Sequence, residues 1–303
     1  MLAEDRVYAQ PREALPAPDV VVVGAAARDI APDDRRGWRM GGSVLYCGLG
    51  LARLGLRVGC LVGLDKEART AGDEMGLLEK AGATVAPVAL RRGPIFENTE
   101  VAGGPRRQRW LSKSDAIPVS ALPDSWRAAR GWLLVPVSGE VGEEWADAPG
   151  PGARVALGLQ GLTREFPPDG WVKPAAPQPS RLIERAGLVV LSAHDLPSEE
   201  TPESLRLLTE AVIVATAGAE GGVALHQTRA LRYRARVVGP VVDTTGAGDV
   251  FLAALMAAWQ VGDTLATKGA LVYAAAAASC AVEAVGLAGV PTREEIEARL
   301  RRG

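Results

Sequence analysis

The sequence predicts an α/β protein: an open, mostly parallel sheet with helices on both faces and a small β-hairpin lid. Three observations carry this. Apolar β-branched runs that end in glycine, such as Asp19-Val20-Val21-Val22-Val23-Gly24, have the composition of strands buried on both faces, as in parallel sheets. Segments of helical period separate these runs, so that residues 19–89 read β-α-β-α-β. Between residues 91 and 112 the rhythm changes to two short alternating runs around Gly103-Gly104-Pro105, the mark of a hairpin leaving the main sheet.

Residues 1–18 mix acidic, Arg and Pro residues ahead of any apolar run and read as a mobile leader; residues 19–303 read as a single domain, with the lid-like insertion near 91–112. After the first strand, residues 25–40 read as a loop holding Asp29 and an Asp33-Asp34-Arg35-Arg36 turn. Gly41-Gly42-Ser43 introduces a helix whose apolar positions Leu45, Leu49, Ala52 and Leu54 run to a stop at Gly55. A strand at 57–63, a helix at 70–81 closed by Gly82 and a strand at 84–89 follow. Beyond the hairpin (95–101 and 107–111), strands are expected at 132–135, 154–157, 187–191 and 211–215, with a helix around 202–209. The Pro- and Gly-rich stretches near 148–152, 167–168 and 174–179 read as loops, because strand signals resume directly after them. Residues 223–226 and 231–235 suggest an antiparallel pair. Helices are expected at 247–260 and 264–285, and a last one opens at Pro291 with Thr292 as N-cap and Glu295 completing a capping box.

Composition narrows the function. At 303 residues and 48% hydrophobic the chain can bury a large core, and Lys+Arg 34 against Asp+Glu 36 gives a net charge of -2, with no bulk attraction to nucleic acid or a membrane surface. The arginine patches at 91–92 and 106–109 read as solvated loop or hairpin. Cys47, Cys60 and Cys280 lack CxxC spacing and read as buried thiols of a reducing compartment, and His194 and His226 are too few for a His-based metal site. With no signal-peptide pattern and no apolar stretch of roughly 18 residues, the expectation is a cytoplasmic, soluble protein. There is no G-x-x-x-x-G-K-[ST] and no G-x-G-x-x-G after the first strand, which disfavours a Walker-type NTPase and a dinucleotide-binding oxidoreductase.

The stretch with most chemistry is Asp243-Thr244-Thr245-Gly246-Ala247-Gly248-Asp249, where an apolar run enters a small-residue turn and then a helix. Glycines let a ligand approach the backbone, and the first N–H groups of a helix have no intrahelical partner, which makes an anion site. A carboxylate such as Asp249 beside bound phosphate has a use as the acceptor of a proton from an attacking hydroxyl. The alternative is plain: Asp249 caps a helix and the glycines make a turn.

This stretch resembles the D-T-x-G-A-G-D signature of the ribokinase-like (PfkB) family of carbohydrate kinases. Three further pieces come in the family's order: Asp29 after the first strand; Gly41-Gly42 followed by Leu51-Ala52-Arg53-Leu54-Gly55; and Thr216-Ala217-Gly218-Ala219-Glu220-Gly221-Gly222, similar to its T-x-G-x-x-G nucleotide loop. The resemblance covers roughly residues 19–300 and implies an ATP- and Mg2+-dependent phosphotransferase acting on a hydroxyl of a sugar, cyclitol or nucleoside. It implies Asp249 as general base, the N–H groups of Gly246, Ala247 and Gly248 as an anion hole, and Thr216, Gly218, Gly221 and Thr244 on the nucleotide. In members that use a monovalent cation such as K+, residues matching Asp243 and Thr245 help coordinate it, with carbonyls from the loop at 285–291. The family's N-x-x-E motif, which orders Mg2+ through water, survives only as Ser192-Ala193-His194-Asp195, leaving Asp195 for that role.

For the acceptor, residues 95–98 and 159–164 resemble stretches of the inositol-kinase-like branch, where a hairpin carries an E-N pair and a central strand ends in Q-G. That makes Asp29, Gly41, Gly42, Asn98, Gln160 and Arg164 the candidates for binding a polyol. The family asparagine beyond Gly41-Gly42 is replaced in the neighbourhood of Leu45-Tyr46, which weakens a ribose assignment. The degenerate 192–195 stretch keeps a rival open, a weakened relative that binds a nucleotide or polyol as a sensor. Family members often pair through the lid, so a homodimer is a further expectation.

Overall fold

The computed structural model describes residues 15–99, 107–236, 239–262 and 267–302. β1 (Val20–Ala25) is buried along its whole length and sits inside the main sheet. A hairpin of β2 (Ala27–Ile30) and β3 (Trp38–Gly41) leaves the sheet, and α1 (Ser43–Arg53) returns the chain to β4 (Val58–Leu64), parallel to β1. α2 (Gly72–Lys80) and β5 (Thr84–Ala89) complete that edge, and β6 (Ile95–Thr99) with β7 (Arg107–Ser112) form the second hairpin. The chain then crosses to the other side of β1 and adds β8 (Gly131–Leu134) and β9 (Arg154–Gly158). A short pair, β10 (Arg164–Glu165) and β11 (Lys173–Pro174), and α3 (Arg181–Arg185) precede β12 (Leu188–Ser192) and β13 (Val212–Thr216). β14 (Gly222–His226) and β15 (Arg229–Tyr233) close that edge antiparallel, and α4 (Ala247–Val261), α5 (Lys268–Ala281) and α6 (Arg293–Arg302) follow.

The nine strands run in the order β15-β14-β13-β12-β9-β8-β1-β4-β5. Since β4 and β8 lie on opposite sides of β1, the loops at their carboxyl ends part there, opening the crevice in which such sheets bind ligands. The alternation of β1 divides the core. Val20 and Val22 face the layer of α1, α4 and α5, whereas Val21 and Val23 face Trp126, Trp132, Trp145 and α3. The expected α/β architecture is therefore present, with its longer helices on one face and α3 plus short 3-10 segments on the other.

Two expectations are corrected. Residues 25–40 are not a loop: β2 pairs with β3 and, in parallel, with β6, so the lid is a four-stranded sheet in the order β3-β2-β6-β7 and not a hairpin alone. Apolar alternation does not signal β2 and β3 because polar contacts hold them. Arg28 donates to Asp65 at 2.7 Å, Arg36 to Glu74 at 2.5 Å, and both guanidinium groups lie over the Trp38 ring. The expected helix at 202–209 is a 3-10 run, Pro202–Leu207, opened by its proline. The capping box is realised, Glu295 accepting the Thr292 N–H at 2.7 Å and Thr292 the Glu295 N–H at 3.3 Å. The Gly103-Gly104-Pro105 turn, residues 1–14 of the leader and the start of the helix expected at 264 lie outside the described residues; Thr267 caps α5. Leu15 and Pro16 accept hydrogen bonds from Ser125 and Trp126. Among the described residues no helix is long and apolar enough to cross a membrane.

Candidate active site

The start of α4 is shaped by main chain. Gly246 is its N-cap in the left-handed region at φ 79, and a Cβ there would lie inside the Tyr46 ring, so two separate constraints demand glycine. Asp243 holds the turn from below: its two oxygens accept the N–H of Thr245 and of Gly286, each at 2.9 Å, tying the loop at 285–289 to the motif. Ala247 donates weakly to the Thr244 carbonyl at 3.4 Å, and exposed Gly248 has open space around its Cα.

Asp249 sits in the first turn of α4, half-buried. Burial pushes its carboxyl up to about 6; the Ser43 hydroxyl donates to it and draws it back, as does the charge of Arg164, while the charge of Asp195 pushes it further up. Arg164 and Asp195 pair with each other at 3.7 Å, their side chains 10% and 21% exposed. A carboxylate tuned into this range at a helix start fits a general base that works near neutral pH. Arg164, expected on the acceptor, thus pairs with the carboxylate expected to serve Mg2+, and its charge also reaches Asp249.

Among the residues expected on the nucleotide, Thr216 ends β13 beside Ser192, its register partner on β12. Its hydroxyl donates to the Leu191 carbonyl at 3.3 Å. Gly218 and Gly221 take φ of 53 and 97 in the turn to β14, and a Cβ on Gly221 would strike the Tyr233 main chain. Ser192 caps the turn that carries Asp195, accepting the His194 N–H at 3.2 Å.

The acceptor candidates come together in part. Asn98 Nδ2 donates to Asp29 Oδ1 at 3.2 Å, and Gln108 Nε2 donates to Asn98 Oδ1 at 2.8 Å. A Cβ on Gly41 would come within 2.8 Å of Asp29 Oδ2, and Gly42, at φ 98, lets α1 start against the backbone of Ala25 and Ala27. Gln160 stands apart from this chain, in the 3-10 turn Gln160–Leu162 at the end of β9, with its carbonyl accepting the Thr163 hydroxyl at 3.3 Å.

Sequence reasoning missed three contributors. Ser43, the helix residue after Gly41-Gly42, holds Asp249; its place at a helix start facing a glycine pair was a usable signal. Tyr46 buttresses Gly246 and closes on Gly41, propping the turn ahead of α4. Glu140, fully buried, accepts the N–H groups of Ala25 at 3.2 Å and of Val137 and Ser138 at 2.9 Å, joining the carboxyl ends of β1 and β8. Burial raises its carboxyl and those N–H groups hold it back. Among the described residues no cluster of three or more His, Cys, Asp or Glu could hold a metal.

Residues 167–293 match the family described as pfkB family carbohydrate kinase. A pyrophosphate-dependent kinase of the ribokinase family, solved with a pyrophosphate analog and myo-inositol, shares the fold at TM-score 0.71 and 18% identity, covering 92% of this chain and 99% of that one. Ribokinase from Arabidopsis thaliana with ribose and ATP gives TM-score 0.68 and 19% identity over 94% of this chain and 99% of its own. The nucleoside kinase of Methanocaldococcus jannaschii gives 0.69 and 19% over 95% and 100%. No curated protein sequence matches the chain. The chain thus shares the fold of these kinases along nine-tenths of its length, and its residues 167–293 match the pfkB carbohydrate kinase family.

Proposed function

We propose that this kinase transfers the terminal phosphoryl group of ATP to a hydroxyl of a sugar, cyclitol or nucleoside, in the cytoplasm. The observation that carries the reading is Asp249: a half-buried carboxylate raised to about 6, held by Ser43, on the first turn of a helix opened by a left-handed glycine. Asp249 takes the proton of the attacking hydroxyl, and the N–H groups around Gly246 to Gly248 face the transferring group, whose charge lies on its equatorial oxygens. Thr216, Gly218, Gly221 and Thr244 border the donor; Asp29, Asn98 and Gln160 receive the acceptor between Gly41-Gly42 and the lid.

Mg2+ fits here through water. Asp195 is a carboxylate oriented by Arg164 at 3.7 Å, with acceptor capacity left for the hydration shell of an ion that also binds donor phosphates. Mg2+ supplies charge that offsets those phosphates. At Asp243 both oxygens already serve backbone N–H groups, which supports a role in loop architecture; a K+ titration of activity tests the cation role of Asp243 and Thr245.

The test is a coupled assay crossing ATP and pyrophosphate as donors with ribose, fructose, inositols and nucleosides as acceptors. The pyrophosphate arm is included because one of the similar structures is a pyrophosphate-dependent kinase. Turnover with ATP and one acceptor class is expected. No turnover on any combination, together with tight ATP or polyol binding, would replace the kinase reading by that of a sensor. Light scattering of the same sample reads the proposed homodimer.

A further inference from the structure

The Arg107-Gln108-Arg109 stretch has a second role inside the lid. Asn98 and Gln108 are register partners on β6 and β7, and their side chains meet on the face that carries Phe96 and Trp110; Glu97 and Arg109 pair on the opposite face at 3.4 Å. The hydrogen bonds there run in one direction. The Asp29 carboxylate can only accept, so Asn98 must turn its amide nitrogen toward it; its carbonyl then faces Gln108, which must present its own amide nitrogen. The cost of that orientation falls on Gln108 Oε1, which is buried and, among the described residues, has no hydrogen-bond partner. The main chain of Gln108 is fixed as well, its carbonyl accepting the Val172 N–H at 2.9 Å from the loop that covers the lid edge.

We propose that Gln108 is a positioning residue of the acceptor site, setting the direction of the Gln108–Asn98–Asp29 chain so that Asp29 offers an acceptor and Asn98 a donor side by side. Such a pair matches two neighbouring hydroxyls, one donating to the carboxylate and the other accepting from the amide, and selects a vicinal diol over a carbonyl or a single alcohol. The proposal rests on the kinase reading above.

The experiment uses the full chain and the acceptor found in the panel, comparing wild type with Gln108→Leu and Gln108→Glu. Leucine keeps the size and the main-chain bonds but cannot donate to Asn98; glutamate makes Asn98 turn its nitrogen away from Asp29. The expected result is an acceptor KM raised about tenfold in the first and further in the second, with donor KM and kcat within about threefold of wild type. A merely structural role would lower the melting temperature and leave the ratio of the two KM values unchanged. Acceptor KM within twofold of wild type in both variants overturns the proposal while leaving the kinase reading intact. Collapse of folding in both, judged by circular dichroism, also overturns it, since Gln108 would then be a residue of hairpin stability. A wild type inactive on every acceptor removes the kinase reading and this proposal together.

Discussion

The two ends of the site are made of different materials. Around the start of α4 the groups proposed to act are main-chain N–H groups, fixed by a left-handed glycine and by a carboxylate whose oxygens both serve the backbone. At the proposed acceptor end they are side chains, delivered by β2, β6 and β7 from segments far apart in the sequence. A backbone-built site is indifferent to many substitutions and intolerant of a Cβ at its turns. A side-chain-built site can be retuned residue by residue, which suits one chemistry serving many acceptors.

The largest effect expected from testing this contrast is at Asp249, the side chain proposed to take the proton at the backbone-built end. Asp249→Asn is expected to lower kcat by about a hundredfold or more, with donor binding nearly unchanged, in a steady-state assay paired with calorimetry. The wild-type rate should fall as pH drops through about 6, because the base must be deprotonated. The stability sign is opposite. A carboxyl raised from 3.8 to about 6 contributes stability that is complete below 3.8 and lost as pH rises through 6. At pH 7.5 the asparagine variant should therefore be more stable, by up to about 3 kcal/mol, and melt at a higher temperature. A variant that loses activity and stability together would place Asp249 in the fold and not in the chemistry.

That contrast also explains what could be read from the sequence. The motif at 243–249 is contiguous, and its glycines are demanded by local backbone geometry, so spacing alone displayed it. The parallel core strands were legible because burial on both faces leaves unbroken apolar runs. Asp29 and Asn98 were legible as candidates, but their contact depends on β2 pairing with β6, and β2 carries no apolar alternation because Arg28 and Trp38 hold it through charge and a ring face. Glu140 gave no signal at all: a lone glutamate in a Ser-Gly-Glu turn looks solvated, and only the tertiary meeting of β1 and β8 supplies the N–H groups that take it inside. Gln108, between two arginines, was obscured in the same way.

Next in size is Gly246→Ala. The positive φ and the Tyr46 ring together should cost about 2 kcal/mol of stability, read as a lower denaturant midpoint with an unchanged slope, and the acceptor KM should move less than kcat. A neutral outcome would mean that the loop can relax away from Tyr46, and the phosphoryl end would lose its claim to be fixed by main chain.

Asn98→Ala probes the other end at a smaller scale. Removing one side chain from the Asp29 chain should raise the acceptor KM by about tenfold with kcat at saturation and donor KM little changed, since the interaction is made equally in ground and transition states. A fall in kcat of the same size would mean that the lid also aligns the attacking hydroxyl, and the separation of specificity from chemistry drawn above would blur.

The smallest effect tests whether the backbone-built end stands alone. Thr292→Ala breaks the capping box of α6 and should cost about 1 kcal/mol, read in thermal melting. The mechanical path from there to the site is short. Arg299 of α6 holds Ser279 and Glu283 at the end of α5, and the Val282 carbonyl accepts the N–H groups of Val242 at 2.7 Å and Asp243 at 3.2 Å, just ahead of the motif. Asp243 is anchored a second time by the Gly286 N–H, so loosening α6 should leave kcat and both KM values within about twofold at temperatures well below the melt. A larger drop in kcat would mean that α6 positions Asp243, and that the anion loop is held by tertiary packing as much as the acceptor end is.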